Sequence, residues 1–524
     1  MWTHIYSASV LYPVSAVCFF AVCFAWQKLC KSPASWLKQL DVLGRPGKHT
    51  LPGIAVVCGG SIAGIITARI CADHFERVII IDPEIEDPEK PKTRILQYNA
   101  AHAFLSLFGE GARRLWPNFD AEMIKAGARF DVADTQIHYS GIPLLNPYHD
   151  YPPGQFPKML NIRRSNAQKV LHRLLMSSNV TRLAGTVRGV RATEDRASIE
   201  SVTVRLLDGS HLSIDDVALV ADCTGTTQAG LKWLKSAGFN VPQDIRSSYH
   251  ANISYVTVYF TVPPELGVRL PIPAALQSTA SVYIYLPHDD AQSLIVSLSN
   301  VDNNMMQLIF LDTYGHDLPR TGAEVLSFVT GIRGCKKPIP SWFIEVIELL
   351  CEHGNPSFDA VKIPPQSFVR YHSLATGDLP SNFIAMGDAF LQLNPIHGQG
   401  FSKAIMNGMA LNYFLHAVTS NSGVTSLPRD FAARYFKNSR HTMNALWDGT
   451  RLHDYGTRLC VPMDGESKDI GRFARWFEGK LISASTKDEE VASALWHVRH
   501  MFASERVFLA PTVLWKILTT RSLF

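Results

Sequence analysis

Gly53-Ile54-Ala55-Val56-Val57-Cys58-Gly59-Gly60-Ser61-Ile62-Ala63-Gly64 opens the stretch whose reading decides the fold. The apolar run Gly53 to Cys58 predicts a buried strand, and the glycines from Gly59 to Gly64 predict a tight turn. Ile65 to Ala72 has the spacing of a helix, and Arg77-Val78-Ile79-Ile80-Ile81 is a second strand closing on Asp82. Strand, glycine turn, helix, strand and an acid about 20 residues after the glycines is the order of a dinucleotide-binding βαβ unit. Each part has a physical task. Gly59 makes the sharp turn, Gly64 lets helix and strand approach closely, and the helix N-terminus offers its dipole and free N–H groups to a pyrophosphate. Asp82 accepts hydrogen bonds from a ribose. Ser61 stands where the fingerprint has its middle glycine, so this motif alone leaves an ordinary strand-turn-helix open.

A long cofactor needs a second contact for its distal half, and one stretch far downstream supplies it. Gly387-Asp388-Ala389-Phe390-Leu391-Gln392-Leu393-Asn394-Pro395-Ile396-His397-Gly398-Gln399-Gly400 follows an apolar strand, Phe383 to Met386, and precedes helical spacing from Ala404 to Phe414. An acid at a strand end can hold a sugar hydroxyl, and a glycine-rich loop entering a helix presents N–H groups to an electron-rich ligand. Between the two sites, Val217 to Gly225 reads as a buried strand ending in Asp222-Cys223-Thr224-Gly225. Arg163 to Met176 has helical spacing, and Thr181 to Val190 and Ile199 to Leu207 read as strands.

From Asn252 to Val262 the alternation is strict, and Ser281 to Leu286 and Ser293 to Ser299 alternate too. These predict an antiparallel sheet with one face on a core and a Tyr/Thr-rich face available to a pocket, with Tyr255, Tyr259, Tyr283 and Tyr285 as pocket candidates. Residues 303–354 read as mostly helical, with Met305, Met306, Leu308 and Ile309 as core, against a flexible pocket wall.

The 524 residues are 46% hydrophobic and 18% charged with a net charge of +4, and no Lys/Arg block points to nucleic acid. Nine cysteines without a C-x-x-C pair or Cys/His spacing argue against structural zinc and for a reduced compartment. Ile5 to Trp26 has no charged residue, and Lys28, Lys31 and Lys38 follow it. About 20 such residues span a bilayer, and basic residues after the run favour an anchor over a signal peptide and place the downstream chain in the cytosol. The expected location is a single-pass membrane position, in the endoplasmic reticulum. The polar stretch Gly44 to Thr50 reads as a linker. The apolar tail Val507 to Phe524 is broken by Pro511 and carries Lys516 and Arg521, so it docks on a membrane surface or on the protein itself.

Three signatures in fixed order, Gly59 to Asp82, Asp222 to Gly225 and Gly387 to Gly400, resemble the FAD-dependent oxidoreductases that include flavin monooxygenases of the aromatic hydroxylase and squalene epoxidase type. Arg94, Gln97 and His102, the run from Asp222 to Trp233-Leu234 and Gly238, and Leu379-Pro380-Ser381-Asn382-Phe383 are similar to residues of that family. The resemblance covers most of residues 50–524. It implies a pyrophosphate on Gly59, Gly60, Ser61 and Gly64 and a ribose on Asp82. It implies that Arg94 and Gln97 face the cofactor and that Asp388 holds its ribityl or pyrophosphate portion. Pro395 to Gly400 would lie against the isoalloxazine ring, with N–H groups of Gly398, Gln399 and Gly400 facing its pyrimidine edge. His397 is the candidate catalytic side chain, as proton donor or substrate-orienting group, against a histidine satisfied by backbone contacts.

The implied fold is α/β: a Rossmann-like FAD-binding domain of the glutathione-reductase type, interwoven with an α+β substrate domain, plus an N-terminal transmembrane helix. The expected boundaries are 1–30 anchor, 31–52 linker, 53–103, 155–235 and 365–420 FAD-binding domain, 104–154 and 236–364 substrate domain, and 421–524 C-terminal helices. The implied activity uses NAD(P)H and oxygen to epoxidise or hydroxylate an apolar, terpenoid- or polyketide-like molecule, with an electron-donating reductase as a further partner. A flavin reductase or dehydrogenase of a prenyl or lipid substrate, and a membrane-tethered flavin-binding protein, are the alternatives. A halogenase is disfavoured because the W-x-W-x-I-P element of that branch is absent.

Overall fold

The structure, a computed structural model, describes residues 22–287, 294–333 and 335–523. In chain order the elements that build the site begin with β1 (Leu51–Cys58), α1 (Ile62–Cys71), β2 (Phe75–Ile81), β3 (Ile137–Tyr139), α2 (Arg164–Met176) and β4 (Thr181–Leu183). They continue with β5 (Val217–Asp222), β6 (Ser254–Thr261), β7 (Tyr283–Leu286), β8 (Leu294–Asn300), β9 (Met305–Asp312), β10 (Ser357–Lys362) and β11 (Phe383–Ala385). The chain ends in helices α3 (Gly400–Thr419), α4 (Phe431–Asp454), α5 (Arg472–Ser485), α6 (Glu489–Arg499) and α7 (Pro511–Thr519).

The first sheet has the order β11-β5-β1-β2-β4 and every pair in it is parallel. β1 is covered on both faces, which is why its sequence is an unbroken apolar run and does not alternate. Its strands come from three separated stretches of chain, so the two cofactor-type loops arise far apart in sequence and meet at one edge. Eight of the ten residues of α1 and fourteen of the twenty of α3 are buried, because these helices pack on each other as well as on the sheet. A glycine at 408 permits that approach: a Cβ there would sit 2.9 Å from both Ile66 Cγ2 and Ile70 Cδ1.

The second sheet is larger than the three strands expected and is mixed. Its order is β10-β6-β9-β8-β7-β3, with Ile142–Pro143 on the edge, and β7 pairs with β3 in parallel. One face, carrying Val256, Val258, Val296, Leu308 and Phe310, packs on the helices Gly322–Gly331 and Ser341–His353. The expectation of a mostly helical 303–354 therefore fails over Met305–Asp312, a strand antiparallel to both β6 and β8. Its sequence, Met-Met-Gln-Leu-Ile-Phe-Leu-Asp, is apolar on both faces, and such a run has no period that separates strand from helix.

α4 joins the main core through Tyr435, Phe436, Met443 and Trp447. α5, α6 and α7 form a smaller core around Leu481, Val491, Phe508, Val513 and Ile517, which also takes in Cys30. The segment expected as a linker packs against the body. Leu40 and Leu43 are buried in the main core, Asn412 Nδ2 donates to Val42 O at 2.9 Å, and Lys48 N donates to Thr419 O at 3.2 Å. Most of the predicted bilayer span, Ile5 to Trp26, lies outside the described residues. Residues 22–30 are helical, and among the described residues no helix is long and apolar enough to cross a membrane.

Candidate functional site

One cavity of about 1590 Å³ runs from the β1–α1 turn, past the loop before α3, to the C-terminal helices. That exceeds the roughly 300–1,000 Å³ of a pocket for one drug-sized ligand. Of the thirteen residues singled out from sequence, twelve line it: His397, Gly59, Gly60, Ser61, Asp82, Arg94, Gln97, Asp388, Pro395, Gly398, Gln399 and Gly400. Gly64 does not, and its task is packing: a Cβ there would overlap Gly59 O.

At the β1–α1 turn the backbone dictates the residues. Gly59 has φ +118°, and a Cβ on it would overlap Cys223 O. Ser61 has φ −87° and ψ −169°, ordinary extended backbone, so a side chain is tolerated at this departure from the fingerprint. Its Oγ donates to Gln168 Oε1 at 3.4 Å and accepts from Arg164 Nη2 at 3.2 Å. Gln168 Nε2 closes the turn onto Gly60 O at 3.1 Å. Asp82 already accepts from Gly60 N at 2.9 Å and Glu84 N at 2.8 Å, so it first fixes the turn and offers only its remaining lone pairs to a ribose.

Arg164, Gln168 and Lys92 are the site residues that sequence reasoning missed. Arg164 is buried with Nη1 unpartnered among the described residues, and burial lowers its pKa to about 10. Lys92 lines the same end of the cavity, donating to Glu84 O at 2.6 Å and Asp87 O at 2.7 Å. Asp222 is fully buried and ties its own turn together, accepting from Thr224 N, Thr224 Oγ1 and Gly230 N at 2.9, 2.6 and 2.7 Å. Burial raises its pKa. Thr224 and Gly225, rather than the carboxylate, face the cavity.

The second loop meets the first directly. Gly387 has φ +60°, and a Cβ there would be 2.7 Å from Ala63 Cβ in the first turn of α1. Asp388 reaches the cavity, but its carboxylate pairs with Lys403 Nζ at 2.6 Å. Lys403, 1% exposed, also donates to Leu391 O, so Asp388 serves first as the counter-ion of a buried ammonium.

Asn394 then fixes the turn. Its side chain accepts from Ile396 N at 3.0 Å and donates to Asp454 Oδ1 at 2.7 Å, while Tyr249 OH donates to Asp454 Oδ2 at 2.6 Å. Gly398, at φ +65°, uses its N–H on Pro395 O at 2.9 Å, which removes it from the set expected to face a ligand. The N–H groups of Gln399 and Gly400 have no partner among the described residues, and α3 begins there without a side-chain cap.

His397 faces the cavity with Nε2 unpartnered among the described residues. Burial, reinforced by the neighbouring His453, lowers its pKa to about 3. It is neutral at physiological pH, which removes the role of charged proton donor and leaves a neutral hydrogen-bonding group. His453 is the charged histidine. Its Nδ1 is 3.1 Å from Glu478 Oε2, and that carboxylate raises its pKa to about 9.

On the substrate side the wall is the other face of the mixed sheet, with Tyr255, Ser297, Gln307, Ile309 and Leu311, together with Leu481, Val498 and Phe508 from the C-terminal region. Of the four pocket tyrosines only Tyr255 lines the cavity. Tyr259 donates to Asn99 O at 2.7 Å, and Tyr283 and Tyr285 belong to the second core. The side chains of β7 face away from their expected side, and Ile284 takes the cavity position. A one-residue change of register exchanges the faces of a strand completely.

No protein-family model matches the chain. It is 23% identical over 495 residues to protein Rv3254 of Mycobacterium tuberculosis, covering 90% of this chain and 93% of that one. Among solved structures it is similar to PqsL, described as a probable FAD-dependent monooxygenase from Pseudomonas aeruginosa, with a TM-score of 0.54, 16% identity, and 82% of this chain and 100% of that chain covered. It is also similar to the flavin-dependent brominase Bmp2, at TM-score 0.54 and 14% identity over 89% and 98% of the two chains. For the p-nitrophenol 4-monooxygenase PnpA from Pseudomonas putida DLL-E4 the TM-score is 0.53 and the identity 15%, over 87% and 100%. The chain has the fold that these flavin-dependent enzymes share.

Proposed function

We propose that the protein is an FAD-dependent monooxygenase acting on an apolar small molecule, with its catalytic body on the cytosolic face of the endoplasmic reticulum. One observation carries this reading. Residues from three separated stretches converge on one cavity with room for a dinucleotide and a substrate, and buried polar atoms there lack partners among the described residues: Arg164 Nη1, His397 Nε2 and Gln399 Oε1. Such atoms are costly unless a ligand satisfies them. The residues present fit FAD, with Ser61, Arg164 and the start of α1 toward the pyrophosphate, Asp82 toward the ribose, and Gln399 and Gly400 N–H groups toward the ring. When bound, FAD reduced by NAD(P)H supplies the oxygen chemistry: one atom of O₂ enters the substrate, the other leaves as water, and NAD(P)H is oxidised.

The chain's own residues do the rest. The Asn394–Asp454–Tyr249 series holds the loop before α3, neutral His397 donates or accepts a hydrogen bond, and the apolar wall of Ile284, Ile309, Leu311 and Phe508 excludes water from the reacting atoms.

Membrane attachment belongs to the same reading. Trp26 Nε1 donates to Leu509 O at 3.0 Å, and Leu509 lines the cavity. Val22, Phe24 and Leu29 stand exposed near one end of α7, whose Trp515 is 70% exposed. These features support a cavity that fills from a bilayer with a terpenoid- or polyketide-like substrate.

The test supplies purified protein with FAD, NADPH and oxygen, and analyses a candidate lipid by mass. A gain of one oxygen atom supports the proposal. A gain of two hydrogens assigns a reductase, and a flavin that no electron donor reduces assigns a binding protein; either result refutes it.

A further inference from the structure

Past the cofactor loops, the cavity ends among charged side chains that the chemistry above leaves without a task. His453, in the last turn of α4, and Glu478, on α5, both line it and pair at 3.1 Å. The His453 ring stands edge-on to His397 with centroids 5.3 Å apart, and its Nε2 has no partner among the described residues. Arg499, in the last turn of α6, lines the same end, and its guanidinium makes no ion pair and no hydrogen bond among the described residues. The neighbouring Arg475 differs: its guanidinium is spent on the carbonyls of Leu452, Ile470 and Lys468 at 2.7, 3.0 and 2.7 Å.

The charges at this end do not balance. Glu478 offsets His453, and Asp454 turns away to Tyr249 and Asn394. Glu505 and Arg506 line the cavity as one acid and one base, so Arg499 remains a surplus cation beside the apolar side chains of Leu481, Leu495 and Val498. A guanidinium held out of bulk water without a counter-ion is unfavourable, and a ligand bringing an anion relieves it. His453 Nε2 supplies a second donor to the same space.

We propose that Arg499 and His453 form a receptor for an anionic oxygen group, a carboxylate, phenolate or enolate, at one end of an otherwise apolar substrate. The proposal rests on reading this cavity as the substrate site and narrows its class to amphiphilic acids. The Glu478 carboxylate keeps His453 charged at neutral pH, so both donors carry positive charge when such a substrate arrives. Charge-assisted bonds of this kind are roughly twice as strong as neutral ones, which sets the size of the preference.

The experiment titrates FAD-loaded full-length protein with dodecanoate and with dodecan-1-ol by calorimetry. The wild type is expected to bind the acid about tenfold or more tightly than the alcohol. Arg499→Gln should bring the two within about twofold, and Arg499→Lys, which keeps a point charge, should restore part of the difference. His453→Gln should lower the preference without removing it. Equal affinity for both probes in the wild type, binding of neither, or an undiminished preference in Arg499→Gln overturns the proposal. So does a shifted flavin reduction potential in Arg499→Gln with the preference intact, which would assign the cation to the cofactor. Flavin absorbance is read separately: protein that takes up no flavin fails the monooxygenase reading, whereas protein that holds flavin and ignores the probe's charge fails only this one.

Discussion

His453 and His397 are 5.3 Å apart and yet sit at opposite ends of the histidine range, one raised to about 9 and the other lowered to about 3. The difference is one carboxylate: Glu478 contacts His453, whereas burial dominates at His397. Below about pH 6.5 His453 is protonated in both the folded and the unfolded chain, so the pair contributes fully there. Between about 6.5 and about 9 the folded protein keeps a proton that the unfolded chain releases, and this contribution is lost as pH rises. The pair is partly exposed to the cavity, at 31% and 37%, so its size is on the order of 1 kcal/mol. Thermal melts across that window should fall more steeply for the wild type than for Glu478→Gln; parallel curves would contradict the assignment. His397 was legible because it sits inside a glycine loop with a recognisable task. His453, Arg499 and Arg164 were not, since a charged residue within a helical pattern gives no sign of which cavity it faces.

At the scale of elements, the βαβ unit and the loop before α3 were legible because their physics is local. A strand buried on both faces needs an apolar run, a φ of +118° needs glycine, and an uncapped helix start leaves free N–H groups. The mixed sheet was less legible, because β7 also pairs with β3, where Ile284 meets Ile137, and Met305–Asp312 also pairs with β6, where Asp312 meets Ser254, partners distant in sequence. The same holds for what fixes the second loop: Asn394 is read as a turn residue, but its anchor, Asp454, lies 60 residues on. Burial raises the Asp454 pKa to about 6, and the carboxyl is retained there by its two donors. Asp454→Ala leaves both donors buried without an acceptor and should cost about 2–4 kcal/mol, read as a lower denaturant midpoint. The same variant should cleave faster within residues 394–400 under limited proteolysis. An unchanged midpoint would remove Asp454 from the support of that loop.

For the whole molecule, one cavity runs from the β1–α1 turn, past the mixed sheet, to the C-terminal helices. The C-terminal region closes the far end, with α4 in the main core and α5 to α7 in their own. Sequence alone left its tail between a membrane surface and the protein. The structure places Val513 and Ile517 in the small core while Trp515 and Leu518 remain exposed, so one face of α7 docks on the protein and the other stands open. The full chain is expected to float with phospholipid vesicles, and deleting residues 1–21 should reduce the bound fraction severalfold, because an exposed aromatic face binds far more weakly than a spanning segment. Undiminished flotation of the truncated chain would refute the anchor. All of this presupposes that the convergent loops hold FAD. The most direct test is the flavin content of protein purified in the presence of FAD, with Gly59→Ala as the control whose Cβ would overlap Cys223 O. About one FAD per folded wild-type chain and little or none in Gly59→Ala is expected; folded wild-type protein that retains no FAD would overturn the assignment of both loops.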